Sequence, residues 1–192
     1  MPKDTGPKSF DSLWSSNQPD HDYRDKAFKN RFSRGSLNDL SPDEVLMVAI
    51  DVEVVNGNRL RDFAARFADT SADTATLFSG MASEEDQHRD QLREIYKQRY
   101  GDNPQTVGED DVHEVIEETE LPEDVGVFDS LTLRQALEMV LEAEIKAQGF
   151  YREAAKKSED AGLRALFQEL GDFEGNHVHW IEARLEALAE RE

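Results

Sequence analysis

Apolar residues recur along this chain in steps of three and four, in four separate stretches. The first reads Leu46, Ala49, Glu53, Asn56, Leu60, Phe63 and Phe67. Such steps keep side chains on one face of an α-helix, so the spacing predicts a packed helix over about 42–68. Ser41-Pro42-Asp43-Glu44 marks its start: a capping serine, a proline in the first turn, then acids suited to the positive end of the helix dipole. Thr70-Ser71-Ala72-Asp73 makes a short turn. A second helix follows over about 73–100, with the seam Phe78, Met81, Glu85, His88, Leu92 and Ile95, and Gly101 ends it. A third runs over about 131–157 through Leu133, Leu137, Val140, Glu144, Ala147, Tyr151 and Ala154. After a turn near 158–162, a fourth runs to about 189 through Phe167, Leu170, Glu174, His177, Ile181 and Leu188.

The halves repeat. Asp51-Val52-Glu53-Val54 matches Glu142-Ala143-Glu144-Ile145, and Leu77-Phe78 precedes Glu85 as Leu166-Phe167 precedes Glu174. Two short turns and one long middle connection describe two helical hairpins joined by a crossover, an all-α four-helix bundle. The connection, 101–130, holds eleven acids and no lysine or arginine, with a short helix expected near 110–119. Residues 1–40 are read as a partly irregular N-terminal extension, helical from about 20 to 32, and 41–192 as the bundle. Residues 1–34 carry seven basic side chains against five aspartates, together with Phe10, Trp14, Tyr23, Phe28 and Phe32. That segment either recruits a protein partner, docks on the body or is a disordered leader.

The seams carry the chemistry. Glu53, Glu85, Glu144 and Glu174 stand where the helices should be greasiest, and two of them are followed three residues later by a histidine, His88 and His177. Residues three apart share a helix face, so each Glu-x-x-His pair can grip one ion. Ionised carboxylates are costly in a core unless something positive meets them. Two divalent cations would neutralise the four carboxylates, with Glu53 and Glu144 completing or bridging the pair. Carboxylate and imidazole without thiolate suit iron or manganese. A lone Glu-x-x-His is a weak signal. Two copies in phase with the seam, each preceded by a seam glutamate about thirty residues earlier, are a strong one. The competing interpretation rotates all four seams, leaving the glutamates wet and the histidines as ordinary core residues.

Composition narrows the field. The absence of cysteine removes disulfides, zinc fingers and thiol catalysis. A net charge of −20 argues against nucleic acid as a partner and suits either attraction of cations or adaptation to salt. No run is long and apolar enough for a membrane span, and no secretory leader is evident, so a cytoplasmic protein is expected.

The sequence resembles the ferritin-like superfamily, nearest the rubrerythrin group. Ala49-Ile50 through Glu53 to Gly57, with Arg61-Asp62-Phe63-Ala64, is similar to the first helix of the erythrin–vacuolar iron transport proteins, the membrane-bound ferritins. Phe78 through Arg89 resembles their second helix, and Glu144 with Phe150-Tyr151-Arg152 and Ala154-Ala155 their third. The resemblance spans about 40–190. It implies a ferritin-like four-helix bundle with di-iron ligands at Glu53, Glu85, His88, Glu144, Glu174 and His177, one Glu from each of two helices and Glu-x-x-His from each of the others. Three departures stand out. The relatives' membrane transport domain has no counterpart in these residues. Leu60 replaces an expected tyrosine, although Tyr151 occupies the matching place in the third helix. Ala147 stands where rubrerythrins often carry a further glutamate, which puts a peroxidase-type ligand shift in question.

The expected cofactor is therefore two iron ions, with manganese as the alternative. The expected activity is oxidation of Fe(II) by dioxygen or hydrogen peroxide, in iron handling or oxidative-stress protection. Tyr151 either bonds a ligand carboxylate, holds a transient radical or is plain core. A non-catalytic module that binds, senses or delivers iron through a partner competes, as do a structural bundle with a relic site and iron storage inside another protein's compartment. A homodimer or larger homo-oligomer is expected. His179 and His113 are read as surface residues, and Glu84, Asp86, Glu142, Asp51 and Asp172 as wet neighbours, some of which could orient the histidines.

Overall fold

In the computed structural model, which describes residues 37, 40–102 and 130–190, the four predicted helices form within two residues of the expected bounds. They are α1 (Pro42–Phe67), α2 (Ala72–Tyr100), α3 (Leu133–Lys157) and α4 (Ala161–Ala189). There is no strand among the described residues. The expected helices near 20–32 and 110–119 lie outside them. So does most of the 101–130 connection.

The helix ends follow local chemistry. At α1, the Glu44 carboxylate accepts from the Ser41 backbone N–H at 2.8 Å, which satisfies a donor the helix leaves over. At α3, Gln135 N–H donates to Thr132 Oγ1 at 3.2 Å and the Thr132 N–H donates back to Gln135 Oε1 at 2.9 Å. Asp160 caps α4 by accepting from Leu163 N–H at 2.8 Å and also takes an Arg99 N–H at 2.9 Å. That arginine lies in the last turn of α2, so the pair ties the two hairpins together at one end of the bundle. At the other end, Arg184 of α4 donates to Thr74 Oγ1 of α2 at 2.6 Å.

Antiparallel packing is tightest within the hairpins α1–α2 and α3–α4. Across them α1 meets α3 and α2 meets α4, as the internal repeat requires. The buried hydrophobic residues fall into two clusters. One gathers Leu46, Ile50, Leu92, Tyr151, Phe167 and Leu170, the other Leu60, Phe63, Phe78, Leu137, Val140 and Ile181. The first uses the N-terminal halves of α1 and α4 with the C-terminal halves of α2 and α3, and the second uses the opposite halves. At mid-height between them lies a band of polar seam residues.

Two expectations need correction. Ile95 is only half-buried, and Tyr96 takes the buried place beside it. Helix α1 is buried on more than one stripe, because Met47, Val48, Ile50, Asp51, Val52, Val55 and Arg59 are covered along with the seam. Asp51, read as wet, is therefore interior, at 6% exposure. The apolar residues Val48, Val52 and Val55 outside the seam were the signal for this.

Gly57 lies where α1 approaches α2, and a Cβ there would stand 3.3 Å from the Glu85 Cβ. Glycine inside a helix gives up roughly 1 kcal/mol relative to alanine. Here it lets the two backbones close beside a seam glutamate.

Phe63 is fully covered and packs against Phe67 and Phe78 with ring centroids 6.4 and 5.9 Å away. Phe63→Ala is expected to destabilise the chelator-treated protein by about 3 to 5 kcal/mol in urea unfolding. A loss under about 1 kcal/mol would contradict this packing.

Candidate metal centre

All four helices supply the polar band. Glu53 comes from α1, Glu85 and His88 from α2, Glu144 from α3, and Glu174 and His177 from α4. None of the six is more than 6% exposed. The structure brings them into two overlapping groups, each with one oxygen or nitrogen per residue inside a 4.8 Å span: Glu53, Glu85, His88 and Glu174, then Glu85, Glu144, Glu174 and His177. Glu85 and Glu174 belong to both. The glutamates of the Glu-x-x-His pairs thus span the two groups, and Glu53 and Glu144 stand at opposite ends.

Both imidazoles turn Nδ1 inward. The His177 Nδ1 lies 3.1 Å from Glu85 Oε1, 3.3 Å from Glu174 Oε2 and 3.4 Å from Glu144 Oε2. The His88 Nδ1 lies 3.4 Å from Glu53 Oε2 and 3.7 Å from Glu85 Oε2. The two rings are 6.4 Å apart. On its outer side, His177 Nε2 meets Glu84 Oε2 at 3.1 Å.

Eight atoms of this band are buried without a hydrogen-bond partner: Glu53 Oε2, both Glu85 oxygens, Glu144 Oε2, both Glu174 oxygens and both Nδ1 atoms. Buried polar groups in folded proteins are almost always paired, and each orphan costs on the order of 1 to 3 kcal/mol. No lysine or arginine forms an ion pair with any of the six among the described residues. Oxygen and imidazole donors converging on two points, with their lone pairs unclaimed, fit a pair of divalent cations.

Tyr151 is fully buried, and its hydroxyl donates to Glu53 Oε1 in a short hydrogen bond. The residue one turn before it, Ala147, is fully buried within a hydrophobic cluster. His179 and Asp172 are exposed, Glu142 is exposed and pairs with Lys146 at 2.8 Å, and Asp86 pairs with Arg61 and Arg89. His113 lies outside the described residues. Arg59, which the sequence did not flag, is interior and donates to Asn56 Oδ1 at 3.2 Å.

Crowding perturbs the proton equilibria of Glu53, Glu85, His88, Tyr151, Glu174 and His177. Burial and the charges of Glu53 and Glu144 push Glu85 well above the usual carboxylate range, and burial with Glu85 and Glu144 does the same to Glu174. Burial also acts on Glu53, but the adjacent Glu85 carboxyl, the His88 imidazole and the Tyr151 hydroxyl outweigh it and hold that group low. Burial disfavours the imidazolium of both histidines, yet their carboxylate neighbours prevail and raise both, His177 strongly. Tyr151 is pushed well up by burial and by the charge of Glu53.

The family model described as Rubrerythrin matches residues 44–185. None of the curated proteins compared with the chain matches it. Three solved structures are similar. A hypothetical protein from Pyrococcus furiosus superposes with a TM-score of 0.64 at 23% identity, covering 84% of this chain and 97% of that one. An uncharacterized conserved protein from Magnetospirillum magnetotacticum MS-1 gives 0.65 at 25% identity, with 77% and 95% covered. Rhodobacter capsulatus bacterioferritin, whose structure has a metal-free dinuclear site and haem iron, gives 0.60 at 22% identity, with 78% and 85% covered. The fold is thus the ferritin-like four-helix bundle.

Five of the six perturbed groups at the centre, Glu85, Glu174, His88, His177 and Tyr151, bind protons more tightly folded than unfolded, and of the six only Glu53 does the reverse. Stability falls with pH wherever the folded state holds more protons. The raised carboxyls contribute fully below about pH 4.5, and the raised imidazoles below about pH 6.5. Both contributions fade as pH climbs. The urea midpoint of chelator-treated protein is therefore expected to fall from pH 5 to pH 8. Saturating Co(II) should give its largest stabilisation at the alkaline end, because cations need deprotonated ligands. A midpoint of the chelated protein that rises with pH would contradict this electrostatic picture.

Proposed function

We propose that this chain, which belongs to the rubrerythrin family, holds a pair of iron ions and oxidises Fe(II) with dioxygen or hydrogen peroxide. The observation that carries the proposal is the set of eight buried, unpartnered oxygen and nitrogen atoms converging from four helices. Two bound cations would satisfy the whole set without breaking the bundle.

In this reading Glu85 and Glu174 reach both ion positions, Glu53 and Glu144 close the two ends, and each histidine offers a neutral Nδ1. When bound, an iron pair would supply one electron from each ion to the oxidant. Carboxylates can swing between one-oxygen and two-oxygen contact, so the four glutamates can follow a change in ion charge without moving the helices. Tyr151 keeps Glu53 Oε1 engaged and aims its other oxygen inward. The hydrophobic clusters above and below exclude water and limit escape of reactive oxygen. Manganese would suit the same donors. The sequence likeness to the membrane-bound ferritins supports a purpose in iron handling or defence against oxidative stress, with a homo-oligomer as the proposed form. No described helix is long and apolar enough to cross a membrane.

Chelator-stripped protein, given excess Fe(II) without oxygen, should bind two ions per chain. It should then form ferric product past that stoichiometry when dioxygen or peroxide is admitted. Glu85→Ala and Glu174→Ala should each weaken both ions, by 10- to 100-fold or more, since losing even an outer partner typically costs roughly that. Product that stops at a single stoichiometric pulse would replace the oxidase with a carrier.

A further inference from the structure

The internal repeat makes the two halves of the site comparable position by position, and they differ in a telling place. Glu84 precedes the shared glutamate Glu85 on α2, and Phe173 precedes the shared glutamate Glu174 on α4, 89 residues later as for Glu85 and Glu174 themselves. Each reaches the histidine of the opposite hairpin. The Glu84 carboxylate meets His177 Nε2 at 3.1 Å, whereas the Phe173 ring lies against the His88 ring at 4.9 Å between centroids. Among the described residues no carboxylate bonds the outer nitrogen of His88.

An imidazole that donates its outer N–H to a carboxylate is held in one tautomer with the inner lone pair free, and it becomes a better ligand. His177 has that support and is fully buried, while His88 has an aromatic neighbour and is 6% exposed. A second difference acts in the same direction. Glu53, beside His88, gives one oxygen to Tyr151, whereas the position related to Tyr151 in the first half is Leu60, which can make no such bond to Glu144.

We propose that Glu84 is a positioning residue that locks His177 with Nδ1 toward the centre, making the two ion positions unequal: the His177 position fills first and keeps its ion, and the His88 position exchanges. The proposal rests on the two-cation reading above. Ions would therefore enter and leave at the His88 side, where the imidazole is 6% exposed against 0% at His177.

Co(II) alone, added to chelator-stripped full-length protein without oxygen, tests this by calorimetry and visible absorption. Two steps separated by about 10-fold or more in affinity are expected. A crystal at one equivalent should place the anomalous signal at His177. Glu84→Ala should weaken the first step by roughly 10- to 100-fold, with Glu84→Gln, which keeps an acceptor, losing less. Phe173→Glu should tighten the second step and narrow the gap. Nitrogen-15 spectra of protein loaded with diamagnetic Zn(II) should show His177 bound through Nδ1 with its Nε2–H shifted by a hydrogen bond in the wild type, and that shift lost in Glu84→Ala. A merely structural role for Glu84 would not give that signature, and an unchanged melting temperature of the metal-free variant would separate the two. Two equal steps, a first ion at His88, or constants unmoved by Glu84→Ala would overturn the proposal while leaving the two-cation reading intact. Failure of wild-type protein to bind Co(II) at all would overturn both.

Discussion

Four carboxylates within a few ångströms of one another, sealed from water, repel strongly, and the rest of the bundle answers to that fact. Two like charges about 4 Å apart repel by roughly 4 kcal/mol even at an effective dielectric constant near 20. The helices are long enough, 25 to 29 residues, to set these groups at mid-height with hydrophobic packing on both sides. That packing holds the backbones in place against the repulsion. Gly57 lets α1 close on α2 beside Glu85. The Arg99–Asp160 and Arg184–Thr74 bonds fix the hairpins to each other at opposite ends, away from the charged centre. The acidic and imidazole groups are thus held together at a fixed place, and the cost is met by residues outside the cluster.

Much of this was legible in the chain. Steps of three and four fix the four helices because helix periodicity and burial are one constraint seen twice. Glu53, Glu85, Glu144 and Glu174 declared themselves by standing where that constraint calls for leucine. What the pattern left open was which glutamates are shared. Spacing along a helix says that Glu85 and His88 lie on one face, but the crossing of α2 over α4 decides that Glu85 also reaches His177. The same geometry brings Glu84, one residue off the seam, onto an imidazole. Contacts between hairpins depend on helix rotation, and no local pattern encodes that. The burial of Asp51 and Arg59 escaped for a related reason: a seam records one covered face, and α1 has more than one.

Near-symmetry is the feature that makes the function interpretable. A repeat of hairpins generates a pair of similar ligand groups from one structural idea, and departures from the repeat then stand out against it. Leu60 against Tyr151, and Glu84 against Phe173, are the departures that touch the site. Neither alters the fold, since both hairpins keep the same two-helix packing. Each alters the hydrogen bonding of a side chain that faces the centre. Symmetry supplies two similar groups of side chains, and its local breaking gives their histidines different outer neighbours.

The division of the hydrophobic interior also shapes how the protein breathes. Because the two clusters hold the bundle above and below the polar band, the least cohesive part of its interior is the waist between them. Beyond the fraying common to helix ends, opening of the interior should therefore centre on the helix turns around Glu53, Glu85, Glu144 and Glu174. A pair of cations bound there, as proposed, would stitch that waist shut.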